Sequence, residues 1–200
     1  MGLEALIERP SLTRARADSG RDGCTPPPEQ LVRFNGLKSV VSLLESDRVE
    51  YSVTGGFGLD GLAGHLTRDH SDIDLMLRSE SDRIRVDRGL KARGFLHKLK
   101  KASGTDVYMD AATDSVMIEM KSWQNFAPHL GENKDRVELF FQHHNAFLNG
   151  LIFNTCTVEG HAIYWEAQKR RCAEEEWNED DVHAGSRQEL IDDLRKKQNT

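Results

Sequence analysis

The chain has 200 residues, with 27 Lys and Arg against 33 Asp and Glu and a formal net charge of -6. That length suits one good-sized core, or a catalytic domain with a small helical appendage, and the acidic balance argues against a general nucleic-acid binder, which carries a broad basic footprint. No run approaches the roughly 18 apolar residues of a membrane span, and Cys24, Cys156 and Cys172 share no metal-type or disulfide-framework spacing, so the expectation is a soluble protein of the reducing cytoplasm.

Residues 1–30 mix Arg, Asp, Ser and Gly with the run Pro26-Pro27-Pro28, a composition that buries little. They are expected to form a flexible extension, with any helix at residues 3–7 unanchored, ahead of a folded domain over residues 31–200. From Glu29 onward, Leu31, Phe34, Leu37, Val40, Val41 and Leu44 recur at three and four, which predicts an amphipathic helix lying on a sheet. Residues 50–54 read as a short strand ended by a Gly55-Gly56 turn, residues 59–66 as a brief helix, and residues 72–77 as a second strand.

Ser79 and Ser81 offer an N-cap, Asp82 suits a first helical turn, and Gly94 stops that helix. Residues 106–109 and 115–120 read as a strand pair, with Lys98, Lys100 and Lys101 before it as a solvated basic patch. Leu139 to Phe141 and Leu151 to Phe153 are short apolar runs. Residues 155–158 and 161–164, flanking Glu159-Gly160, are expected to make a hairpin, with a helix restarting at Glu166. An acidic stretch from Glu174 to Asp181 then precedes a last helix at residues 188–197. Trp123 and Trp165 read as core aromatics.

The chemistry concentrates in two places. Asp72 and Asp74 stand at i and i+2 of a strand, so their carboxylates point the same way, roughly 6–7 Å apart, while Ile73 packs behind them. Hard carboxylate oxygens suit Mg²⁺, and two such ions about 4 Å apart can activate an attacking hydroxyl and stabilise a leaving pyrophosphate. Glu119 is the one acid in the apolar run from Val116 to Met120, and a buried carboxylate there needs a cation or hydrogen bond; metal ligation and a general-base role both account for it. Gly55 and Gly56 fit a turn whose N–H groups approach a phosphate, at the positive end of the helix that follows. Arg68 and His70 could add charge to a triphosphate or order the metal ligands.

The string from Thr54 to Leu75, T-G-G-F-G-L-D-G-L-A-G-H-L-T-R-D-H-S-D-I-D-L, resembles the signature of small antibiotic nucleotidyltransferases of the DNA polymerase beta superfamily, especially the lincosamide and aminoglycoside adenylyltransferases. Arg68, His70, Asp72, Ile73 and Asp74 fall on its second half. The segment from Val116 to Trp123 is similar to the strand bearing the third acid, and Gly160 to Gln168 to a hairpin and helix start near the family's C-terminus. Phe57 stands where the family usually has Trp, and Glu119 where Asp is common.

The resemblance implies an α/β (α+β) fold, a mixed twisted sheet flanked by helices with a C-terminal helical segment. It implies that Asp72, Asp74 and Glu119 hold Mg²⁺ and carry catalysis, that Gly55 and Gly56, with Arg68 and His70, bind ATP, and that AMP passes to a hydroxyl of a small molecule, an aminoglycoside or lincosamide. A homodimer is compatible with this reading. Two alternatives stand beside it: a toxin–antitoxin type nucleotidyltransferase modifying protein or RNA, and a non-catalytic nucleotide-binding module. Three converging acids argue against the module.

Overall fold

The structure, a computed structural model, describes residues 28–142, 144–174 and 184–198. Residues 1–27 of the expected extension, and most of the acidic stretch after Glu174, lie outside the described residues.

Helix α1 (Pro28–Ser46) buries Phe34, Leu37, Val40, Val41 and Leu44, the positions its periodicity picks out. It starts inside the segment expected to be extension: Gln30 is buried, and its Nε2 donates to the Arg68 carbonyl at 2.7 Å. Strand β1 (Tyr51–Thr54) runs directly into α2 (Gly55–Ala63), so the expected glycine turn is instead the first turn of a helix. Gly55 makes this possible with φ +65, a left-handed conformation that reverses the chain at one residue.

Strand β2 (Asp72–Leu77) leads to α3 (Glu80–Ala92), where the Ser79 hydroxyl accepts the Asp82 N–H at 3.1 Å as the N-cap. Strands β3 (Phe95–Lys100), β4 (Asp106–Asp110) and β5 (Met117–Ser122) follow. Sequence periodicity does not reveal β3, because it is an outermost strand with Leu96 and Leu99 half exposed among lysines. Short helix α4 (Trp123–Phe126), a 3-10 helix (Ala127–Asn133) and α5 (Glu138–Phe141) lead to β6 (His144–Leu148) and β7 (Leu151–Thr155), and helices α6 (Val158–Glu174) and α7 (Ala184–Gln198) complete the described chain.

The hairpin expected around Glu159-Gly160 is not there. The hairpin is β6–β7, turning at Asn149-Gly150, where both residues take positive φ, +47 and +82. Two successive left-handed residues are what a tight hairpin turn demands, and Asn-Gly supplies them at least cost. Glu159 and Gly160 instead lie in the first turn of α6, whose Thr157 hydroxyl accepts the Gly160 N–H at 2.9 Å.

The seven strands form one mixed sheet in the order β3-β4-β5-β2-β1-β7-β6. β2 pairs parallel with β5 and antiparallel with β1, while β1 pairs parallel with β7. One face carries Ile73, Leu75, Leu77, Tyr108, Ile118 and Met120 into a core with α1 and with Val86 and Leu90 of α3. Beside the sheet, α2, α6 and α7 share a smaller cluster of Leu59, Val158, Ala162, Trp165, Ile191 and Leu194. A third cluster joins Met76 of β2 to Phe126, Leu130, Phe140 and Tyr164. Among the described residues no helix is long and apolar enough to cross a membrane.

Candidate active site

Because strand side chains alternate, burying Ile73 and Leu75 in the core turns Asp72 and Asp74 to the opposite face. Parallel pairing sets Asp74 beside Glu119, and antiparallel pairing sets it beside Thr54. These registers bring carboxylate oxygens of Asp72, Asp74 and Glu119 within 4.8 Å of one another. They also bring the N-terminus of α2 onto Asp74: a Cβ on Gly55 would sit 2.0 Å from Asp74 Oδ2. Only glycine fits there, by conformation and by space.

Burial, then the charges of Asp74 and Glu119, push the Asp72 carboxyl up to about 7, against the opposing pull of Arg187 and Lys121. Three hard oxygen donors at this spacing, crowded enough to raise one member's pKa, fit a divalent cation, which would relieve the repulsion. Their like charges are already partly offset by two lysines. Lys101, from the turn after β3, donates to Glu119 Oε1; one member of the expected solvated patch is therefore an ion-pair partner of the site. Lys121, on the same face of β5 as Glu119, is 1% exposed, with Nζ 3.5 Å from Asp74 Oδ1.

Lys121 also donates to the Tyr164 hydroxyl at 2.7 Å. Burial opposes its charge, but Tyr164, Asp74 and Glu119 outweigh that and hold the ammonium above its usual range. The hydroxyl of Tyr164, pushed up to about 12 by burial first and then Asp74, keeps its proton and donates it to Asp74 Oδ1 at 3.0 Å. Gln168 Nε2 gives the same hydroxyl a second donor at 2.8 Å.

On the other side of the first turn of α2 lies a second group. His70 and Asp60 are each 1% exposed, with His70 Nε2 2.6 Å from Asp60 Oδ2. Asp60 also accepts the Thr67 N–H at 3.0 Å and the Thr67 hydroxyl at 2.5 Å. A Cβ on Gly56 would lie 2.3 Å from His70 Nδ1 and 2.7 Å from an Arg68 Nη. The His70–Asp60–Thr67 set therefore braces the helix start from beneath, and Arg68 flanks it.

The fold thus brings all seven sequence-predicted residues to one helix terminus: Asp72, Asp74, Glu119 and Gly55 together, with Gly56, Arg68 and His70 adjoining. Sequence reasoning missed Lys121, Tyr164, Gln168, Lys101, Asp60 and Arg187. Lys121 was findable, since it stands two residues after Glu119 in the same strand, and so was Asp60, inside the motif itself. Tyr164 is separated from Asp74 by 90 positions and carries no local signal.

A mixed sheet with a glycine-led helix start against two strand acids and a third on the neighbouring strand defines a nucleotidyltransferase fold. The family described as aminoglycoside-2''-adenylyltransferase matches residues 36–123, a span that contains all seven predicted site residues. The antibiotic-resistance factor ANT(2'')-Ia is similar in structure with TM-score 0.58 and 12% identity, over 85% of this chain and 92% of that one. The lincosamide antibiotic adenylyltransferase LnuA, bound to lincomycin, gives 0.51 and 16% over 65% and 84%. An antigenic nucleotidyltransferase-like protein from Paracoccidioides brasiliensis gives 0.52 and 17% over 82% and 75%. At these identities the structural likeness is one of fold. No curated protein sequence matches the chain. The fold is that of these nucleotidyltransferase structures, and residues 36–123 are similar to the aminoglycoside-2''-adenylyltransferase family.

Proposed function

We propose that the chain is a metal-dependent nucleotidyltransferase that moves AMP from ATP to a hydroxyl of a small antibiotic, an aminoglycoside in the first instance. The observation that carries this reading is the convergence of the Asp72, Asp74 and Glu119 carboxylates within 4.8 Å at the N-terminus of α2. The match to an aminoglycoside adenylyltransferase family supports the acceptor class, and a net charge of -6 suits a polycationic drug.

Asp72, Asp74 and Glu119 would hold Mg²⁺, which when bound supplies Lewis-acid polarisation of phosphate oxygens. The N–H groups at Gly55 and Gly56 and the positive end of α2 receive the triphosphate. Tyr164 and Lys121 fix the orientation of Asp74. In the transfer, the acceptor oxygen forms a bond to the α-phosphorus, the bond from that phosphorus to the bridging oxygen breaks, and pyrophosphate leaves. We assign Glu119 to receive the hydroxyl proton, since it faces the cluster and its side-chain hydrogen bond among the described residues is to Lys101.

The test is pyrophosphate release from ATP and Mg²⁺ with a panel of aminoglycosides and lincosamides, with the adduct weighed by mass spectrometry. A drug-dependent product of one added AMP is the expected result, abolished in Asp74→Asn with its melting temperature retained. Unchanged release by that variant would sink the assignment.

A further inference from the structure

Lys121 is a positive charge buried beneath an acidic site. In β5 it stands two residues after Glu119 on the same face, and the β2–β5 register sets it beside Met76, two residues beyond Asp74 on that face. It is 1% exposed, with Nζ 3.5 Å from Asp74 Oδ1. The Tyr164 hydroxyl accepts from it at 2.7 Å, and Nζ lies 5.0 Å from the Tyr164 ring centroid and 5.7 Å from that of Phe126. Those rings belong to one buried cluster with Met76 and Phe140. The ammonium therefore cannot withdraw from Asp74 without carrying its charge into apolar surroundings, a step that loss of its counter-ion opposes. Lys101 differs: its side chain is 40% exposed and can turn to solvent when another cation takes its place on Glu119.

Asp74 is the acid that both others neighbour, Asp72 two residues before it in β2 and Glu119 paired with it from β5. Two divalent ions side by side would share it, one oxygen to each. Its oxygens are not equivalent. Oδ1 accepts the Tyr164 hydroxyl at 3.0 Å and faces Lys121, whereas Oδ2 faces the first turn of α2, where a Cβ on Gly55 would sit 2.0 Å away. A dication on Oδ1 would stand against a fixed ammonium, where burial weakens solvent screening of like charges. We infer that Lys121 is the site's built-in counter-cation: it takes the Asp74 oxygen that a second ion would use, so that the three acids alone hold one divalent ion, through Asp74 Oδ2. This rests on the metal-dependent nucleotidyltransferase reading above. Lys121 is then a positioning residue that sets the metal count and the oxygen that Asp74 presents.

The test counts Mn²⁺ bound per full chain without nucleotide, by electron paramagnetic resonance, in the wild type, Lys121→Met and Lys121→Arg. The expected count is one for the wild type and two for Lys121→Met, whose unbranched side chain still fills the space against the rings. Two ions sharing Asp74 should also show spin coupling in the bound signal. Lys121→Arg keeps the charge and should return the count to one. A lysine that only filled space or held Tyr164 would leave the count unmoved. If Lys121→Met does not fold, Lys121→Gln removes the charge, keeps a donor for Tyr164 and carries the same comparison, and the wild-type count is a test without any variant.

Two spin-coupled Mn²⁺ ions in the wild type would overturn the inference alone and leave the nucleotidyltransferase reading standing. A count of one in the charge-removing variants, or of two in Lys121→Arg, would also overturn it, since the ammonium would not be what limits the site. A wild type that binds no Mn²⁺ would overturn it as well. If that protein also releases no pyrophosphate from ATP with any drug of the panel, the reading beneath the inference falls with it.

Discussion

Tyr164 donates its hydroxyl proton to Asp74 Oδ1 at 3.0 Å while accepting Lys121 Nζ at 2.7 Å. One phenol thus ties a carboxylate of the acidic cluster on β2 to a buried ammonium on β5 and to helix α6. Tyr164→Phe removes the donor to Asp74 and takes the hydroxyl acceptor from the buried Lys121, which keeps its longer contact to Asp74 and its place over aromatic rings. The expected cost is about 2 kcal/mol of stability and about a tenfold fall in turnover, read by chemical denaturation and pyrophosphate release. A variant with wild-type turnover would remove Tyr164 from the support of Asp74.

Gly55 makes a sharper prediction. Gly55→Ala places a methyl group 2.0 Å from Asp74 Oδ2 and forces a non-glycine residue to φ +65. The strain and the displaced carboxylate act together, so the expected destabilisation is at least about 2 kcal/mol, with adenylylation lost even at temperatures where the variant remains folded. Circular dichroism melts and single-turnover assays separate the two effects.

The acid cluster sets a pH dependence. The Asp72 carboxyl titrates at about 7 in the fold, against about 4 in an unfolded chain. Between those values the folded state holds a proton that the unfolded state has released. Stability from this group therefore falls as pH rises from about 4 to about 7, and the full penalty remains above that window. Asp72→Asn should then be more stable than the wild type at about pH 8 in EDTA, by on the order of 1–3 kcal/mol, and the two should converge near pH 4. Adding Mg²⁺ should reverse the order at high pH, because only the intact cluster gains binding energy.

His70 separates bracing from direct phosphate contact. Among the described residues, His70→Ala leaves the buried Asp60 Oδ2 with the Thr67 N–H alone, and the expected loss is about 2–3 kcal/mol of stability. His70→Gln, which restores a donor on a side chain of similar reach, should recover much of that loss. If His70→Ala melts like the wild type and loses only ATP affinity, the residue serves the phosphates and not the helix.

Much of this architecture is written locally. The spacing of Leu37, Val41 and Leu44 gives α1, the cap at Ser79 gives α3, and the alternation around Ile73 sets Asp72 and Asp74 on the face opposite the core. What local pattern does not carry is pairing over distance. The β2–β5 register that sets Glu119 beside Asp74, and the reach of Tyr164, Lys101 and Arg187 into the site, depend on the sheet order. Strand β3 escaped because an outermost strand need not bury alternate residues. The misplaced hairpin has a different cause: Glu159-Gly160 looked like a turn, while Asn149-Gly150, with both residues in the left-handed region, carried the stronger signal.

Lys101 gives the last prediction, because its ammonium donates to a Glu119 oxygen that a divalent cation held by the proposed cluster would need. The side chain of Lys101 is 40% exposed, so solvent screening limits the pair's contribution to stability to under about 1 kcal/mol. Lys101→Gln should accordingly leave the melting temperature of the metal-free protein nearly unchanged. Its effect should appear in metal binding, where loss of a competing cation raises apparent affinity for Mg²⁺ or Mn²⁺ about threefold or more. Calorimetric titration of the metal into both proteins, with nucleotide absent, measures that directly. Weaker metal binding in Lys101→Gln would show that the lysine orients Glu119 for the metal and does not contend with it.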